Sequence, residues 1–145
     1  MPDLAHESAL HTRGLSRIAG VDEAGRGPLA GPVAAAAVIL PRGFSLAGLD
    51  DSKKLSANKR EDLYYYLTTD RAVIWAVALA EPDEIDQLNI LRATHLAMRR
   101  AVESLAETPD HCLIDGLPVR NFPFPHDAIV KGDSKSLSIA AASII

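Results

Sequence analysis

Short apolar runs alternate along the chain with segments in which apolar residues recur at helical spacing. Ile18–Ala24 reads as a strand. Pro32–Leu40 is ambiguous, since its four alanines favour helix while Val33, Val38 and Ile39, bounded by Pro32 and Pro41, favour a buried strand. A helix there would be short and have no polar face, so a strand is predicted. Gly43–Ser56 is a polar loop, and Ser56 is placed to cap a helix running to about Leu67, with Lys59, Arg60, Glu61 and Asp62 on its wet side. Arg71–Ala80 reads as a third strand with Trp75 in the core. After a turn at Glu81-Pro82, Asn89 is placed to cap a helix to about Ala106, with Ile90, Ala93, Thr94, Ala97, Ala101 and Leu105 on one face. Cys112–Ile114 and Ala128–Val130 are predicted as short strands ending at Asp115-Gly116 and at Lys131-Gly132-Asp133. Residues 1–17 show no periodicity and read as a loose leader ahead of a single domain over 18–145. The last segment, Ser138–Ile145, reads as the opening turns of a buried helix with no glycine or polar residue to end it, which predicts a truncated chain.

Composition narrows the class. The 145 residues are one domain's worth, and 48% hydrophobic with 23% charged residues is ordinary for a soluble protein. The longest apolar run, Val33–Leu40, is far too short to span a bilayer, and the N-terminus lacks a basic-then-apolar export pattern. The single cysteine, Cys112, excludes an internal disulfide and fits a reducing cytoplasm, where the chain is expected to act as a monomer. A net charge of −4 argues against a nucleic-acid partner. That argument weakens if the acids hold metal ions, which reverse the local field. Arg26, Lys53, Lys54, Lys131 and Lys135 all lie in loop-like segments beside the acids.

Three acidic clusters share one arrangement, an apolar run followed by an acid where the run meets a glycine-bearing loop. They are Asp22-Glu23, Asp115 and Asp133. Taken singly, Asp115 and Asp133 are ordinary turn residues. Asp22 is not, because an acid between Val21 and Ala24 is costly to bury without a ligand. If the runs are neighbouring strands, four carboxylates gather at one sheet edge. Two Mg²⁺ or Mn²⁺ ions would relieve their repulsion and support phosphoryl-ester chemistry. Adjacent strand residues face opposite ways, so a bulge or a strand end at Glu23 is needed to bring both acids to one metal.

Gly25-Arg26-Gly27 follows at once, and glycines around an arginine let backbone N–H groups and a guanidinium approach a phosphodiester. Extended through Ala30, the same stretch satisfies the dinucleotide-binding pattern G-x-G-x-x-G/A after a strand. That alternative sets Asp22 and Glu23 against a pyrophosphate, and the run after Pro32 suits its helix poorly. The five histidines show no ligand spacing, so zinc is not expected. Cys112 reads as core, and of Tyr64, Tyr65 and Tyr66 at most one or two can be buried.

The combination resembles type 2 ribonuclease H, the ribonuclease HII family. Ala19–Val33 looks like that family's opening signature. Leu49–Ser56, Glu84–Ile90 and Lys131–Lys135 leading into Ala140–Ile144 resemble it further, in the same order. The resemblance implies a ribonuclease H-like α/β fold, a mixed sheet flanked by helices, here lacking the family's C-terminal helical region. It implies an endonuclease cutting the RNA strand of RNA–DNA hybrids, or duplex DNA at embedded ribonucleotides, to leave 5′-phosphate and 3′-hydroxyl ends. Asp22, Glu23, Asp115 and Asp133 match the family's catalytic metal ligands for Mn²⁺ or Mg²⁺. Gly25, Arg26 and Gly27 match its reader of the ribose 2′-OH, and Lys53 resembles a position that contacts substrate phosphate. The missing end leaves a second expectation open, an inactive fragment that binds hybrid weakly.

Overall fold

A computed structural model describes residues 1–24, 31–50, 52–119 and 121–145. The described residues form one five-stranded sheet in the order β3-β2-β1-β4-β5. Strand β1 (Ile18–Ala24) pairs antiparallel with β2 (Val33–Ile39), and β2 pairs antiparallel with β3 (Ile74–Ala80). On its other side β1 runs parallel to β4 (His111–Asp115), which runs parallel to β5 (His126–Ile129). The carboxyl ends of β1, β4 and β5 therefore reach the same edge of the sheet.

Helices cover both faces, which explains the uninterrupted apolar run of β2. Ala35 and Ala37 belong to the core beneath helix α4 (Ile90–Glu103), where Ala93, Ala97 and Ala101 allow close approach. Ala36 and Val38 face the opposite core, formed with helix α2 (Ala57–Thr69) and helix α5 (Leu137–Ile144). The expected caps are present: Ser56 accepts from the Lys59 N–H and Asn89 from the Arg92 N–H. Helix α3 (Pro82–Leu88) opens with a capping box between Glu81 and Glu84. A β2 that runs antiparallel to β1 is incompatible with the dinucleotide-binding alternative, which needs a helix and a parallel return.

Several expectations are corrected. The N-terminal residues are not a loose leader, because they form helix α1 (Ala5–Thr12), with Glu7 and Leu10 buried. Leu10 joins a small core with Ile18, Leu113, Ile129 and Ile139. Trp75 is not core. With Val77 and Leu79 it lies on the exposed face of β3, at 37–43% exposure, because the helices on that side cover β2 and stop short of the sheet's edge. All three tyrosines of α2 are exposed, within the expectation that at most one or two can be buried. The fifth strand starts earlier than its apolar residues do and leaves Val130 in solvent.

Gly20 fixes how α5 docks. A Cβ there would stand 2.2–2.5 Å from backbone atoms of Ser138 and Ile139, so only a glycine allows the helix to lie directly on β1.

Candidate metal centre

The acids arrive from three elements. Asp22 and Glu23 come from β1, Asp115 from the last residue of β4, and Asp133 from a 3₁₀ turn (Gly132–Ser134) between β5 and α5. One oxygen each of Asp22, Glu23 and Asp115 lies within 4.8 Å of the other two. The Asp133 N–H donates to Asp115 Oδ1 at 3.4 Å, which ties the fourth acid to the group.

No bulge re-aims Glu23, because the β1–β2 register runs unbroken to Ala24–Ala34. The solution lies on the other side of the strand, where pairing with β4 stops at Val21–Ile114. Beyond that point Glu23 has no paired β4 residue beside it, and its carboxylate comes within 4.8 Å of those of Asp22 and Asp115 although β1 itself continues to Ala24.

Electrostatics set the group apart. Asp22 is buried, and its carboxyl is pushed up from the ordinary 3.8 to about 9. Burial is the largest cause, followed by the charges of Asp115 and Glu23, with Asp133 adding less. Among the described residues, only the Glu23 N–H, donating to Asp22 Oδ1 at 2.8 Å, favours the ionised form. Carboxylate oxygens gathered at this spacing are the donor set of a hard divalent cation, so the residues fit such an ion.

Lys53 enters from a second 3₁₀ turn (Ser52–Lys54), which the Ser52 N–H ties to Ser143 Oγ of α5 at 3.3 Å. Its Nζ stands 3.3 Å from Asp133 Oδ2, with the lysine largely exposed and the aspartate buried. The ammonium thus sits on the rim of the acidic group, facing solvent. Gly25, Arg26 and Gly27 lie outside the described residues. The apolar core reading of Cys112 holds, and burial pushes its thiol up to about 12.

Sequence reasoning missed Glu7. It is 3% exposed, and its Oε2 accepts from Ser136 Oγ at 2.8 Å and from the Ser138 N–H at 2.9 Å, at the start of α5. Its local sequence carries no signal for this contact, since both partners stand near the far end of the chain.

A family model, Ribonuclease HII, matches residues 19–145. The chain belongs to the ribonuclease HII family. A ribonuclease HII from Myxococcus xanthus (strain DK1622) is 57% identical over 143 residues, covering 98% of this chain and 48% of that protein. One from Syntrophotalea carbinolica (strain DSM 2380 / NBRC 103641 / GraBd1) is 52% identical over 142 residues, covering 98% of this chain and 68% of that protein. The chain thus spans about half to two thirds of the length of these ribonuclease HII relatives. Among solved structures, the ribonuclease H2 from Pyrococcus horikoshii OT3 superposes with a TM-score of 0.73 at 29% identity, over 88% of this chain and 69% of that one. The fold is that of the ribonuclease H-like α/β proteins, as the resemblance implied. No helix among the described residues is long and apolar enough to cross a membrane.

Proposed function

We propose that this chain is the catalytic core of a metal-dependent endonuclease that hydrolyses the RNA strand of RNA–DNA hybrids and cuts duplex DNA at embedded ribonucleotides. The products are a 5′-phosphate and a 3′-hydroxyl. The observation that carries the reading is the convergence of Asp22, Glu23 and Asp115 within 4.8 Å, with Asp133 hydrogen-bonded to Asp115. Membership of the ribonuclease HII family supports the substrate class.

Asp22, Glu23, Asp115 and Asp133 would hold Mn²⁺ or Mg²⁺, which would supply Lewis acidity and a water of lowered pKa. The side chains do the rest. Burial keeps Asp22 oriented by the Glu23 N–H, so the acid is in place before substrate arrives. Lys53, on the rim beside Asp133, offers its ammonium to a substrate phosphate. Gly25, Arg26 and Gly27 read the 2′-OH, the group that separates RNA from DNA.

The test is a duplex carrying one ribonucleotide, compared with the all-DNA duplex, in Mn²⁺ or Mg²⁺. Cleavage is expected at the ribonucleotide only, and only with metal. Equal cleavage of both duplexes defeats the 2′-OH reading. A chain that binds Mn²⁺ and cuts neither duplex defeats the assignment of activity to these 145 residues.

A further inference from the structure

Helix α1 precedes the residues matched by the family model and supplies none of the four acids, yet it delivers a buried carboxylate to the start of α5, just after the turn that carries Asp133. We propose that Glu7 is a positioning residue for Asp133, holding the backbone that carries this acid through Ser136 and Ser138. The proposal rests on the reading of Asp133 as a metal ligand.

The chain of contacts is short and continuous. The turn over 132–134 closes on the residues after it, with the Ser136 N–H donating to the Gly132 carbonyl at 2.7 Å and the Lys135 N–H to the same oxygen at 2.9 Å. Ser136 is completely buried and caps α5 by accepting from the Ile139 N–H. Its hydroxyl donates to Glu7 Oε2, which also takes the Ser138 N–H. A carboxylate at the first turn of a helix is favoured by the free N–H groups and the helix dipole together. Next to it, Asp3 brackets the same segment, its N–H donating to the Lys135 carbonyl at 3.1 Å and its carbonyl accepting from Leu137 at 2.8 Å.

On its front, the turn has little slack. A Cβ on Gly132 would meet Ile139 Cδ1 at 2.6 Å and Asp115 Oδ1 at 3.4 Å, so the backbone is wedged between α5 and the acidic group. The Asp133 N–H reaches Asp115 at 3.4 Å, the outer limit of a hydrogen bond, and a small slip of Ser136 breaks it. Glu7 and Ser138 also line a cavity of about 20 Å³ beside Ile18 and Leu40, room for a single water. Among the described residues neither Glu7 Oε1 nor Ser138 Oγ, both buried there, has a hydrogen-bond partner. An amide nitrogen at the Oε1 position displaces no hydrogen bond, so Glu7→Gln keeps the Oε2 contacts while Glu7→Ala removes them.

The test combines Mn²⁺ titration by calorimetry with amide hydrogen exchange over residues 131–140, on the whole chain. Glu7→Ala is expected to weaken Mn²⁺ binding about tenfold, the scale seen when a group supporting a ligand is lost. It should also raise exchange about tenfold across 132–139. Glu7→Gln stays within about twofold of the parent in both. Val102→Ala, which opens the core on the opposite face of the sheet, serves as the control for general destabilisation. If Glu7→Ala does not fold, Glu7→Asp withdraws the carboxylate by one methylene and gives the same readouts. The proposal fails if exchange over 132–139 is unchanged, or if Val102→Ala loosens that segment as much as the Glu7 variant does. A parent chain that binds no Mn²⁺ overturns the metal reading, and with it the metal arm of the proposal. The exchange arm then still decides whether Glu7 holds the turn.

Discussion

Two carboxylate sites in this protein are built in opposite ways. Glu84 on α3 forms a two-pronged pair with Arg100 of α4, at 2.8 and 2.6 Å, and Arg100 also donates to the Leu79 carbonyl. The guanidinium holds the Glu84 carboxyl down at about 2, and the glutamate in turn raises Arg100. At the sheet edge, Asp22 sits with Asp115 and Glu23 and is driven up instead. Its described neighbours include the acids Asp115 and Glu23, while the Lys53 ammonium lies against Asp133. The first site balances its charge within the chain and ties a hairpin of helices together. Among the described residues the second gathers like charges, the imbalance on which its reading as a metal site rests.

The largest effect that would test this contrast comes from Asp22→Asn. It should abolish metal-dependent cleavage and weaken Mn²⁺ binding by at least about tenfold. In metal-free buffer at pH 7 the same variant should be more stable than the parent, by about 1.4 kcal/mol for each unit of upward shift expressed at that pH. Urea unfolding with EDTA measures the gain. A variant that loses stability there shows that the acids do not strain the metal-free fold.

Gly20→Ala separates geometry from charge. The added Cβ cannot fit against Ser138, so α5 must lift from β1 at a cost of about 3 kcal/mol or more. The Asp133 turn moves with α5, while the Glu84–Arg100 pair on the other side of the sheet should persist. Side-chain NMR of Arg100, alongside Mn²⁺ titration, checks that the damage stays on one side.

The two sites also predict opposite pH slopes. Asp22 binds its proton more tightly in the folded chain, so between the ordinary 3.8 and about 9 the native state holds more protons than the unfolded one. Metal-free stability should fall as pH rises across that window, and saturating Mn²⁺ should remove the slope. Glu84 behaves conversely. Its contribution is complete above the ordinary 4.5 and is lost as pH falls toward about 2. The smallest expected effect follows: Glu84→Gln lowers the melting temperature slightly at pH 7, and the deficit closes in acid. Thermal melts of both variants from acid to mildly alkaline pH, with and without metal, read all of this.

Much of this architecture was legible in the chain, in uneven degree. Ser56 and Asn89 announce their helices because a cap acts on the next three residues. Strand β2 was legible only by elimination, and the structure supplies the reason for its ambiguity, since its alanines face helices on both sides. Trp75 misled because an apolar strand looks the same whether or not a helix extends over it, and β3 is an edge strand with one face left open. For the site, the acids stood out by position, but the means of joining Asp22 to Glu23 did not. The early end of the β1–β4 pairing depends on a partner strand that the local sequence does not contain.

In sequence Glu7 is indistinguishable from a leader residue, because neither its burial nor its partners leave a trace nearby. By itself, then, the sequence determined the kinds of elements, their caps and the identity of the acids, all encoded in spacing over a few residues. Only the tertiary structure decided that three carboxylates converge, that Asp133 and Lys53 meet beside them, and that the N-terminal helix braces the turn from behind. Those contacts join segments far apart in the chain, and they form only once the helices have closed over both faces of the sheet.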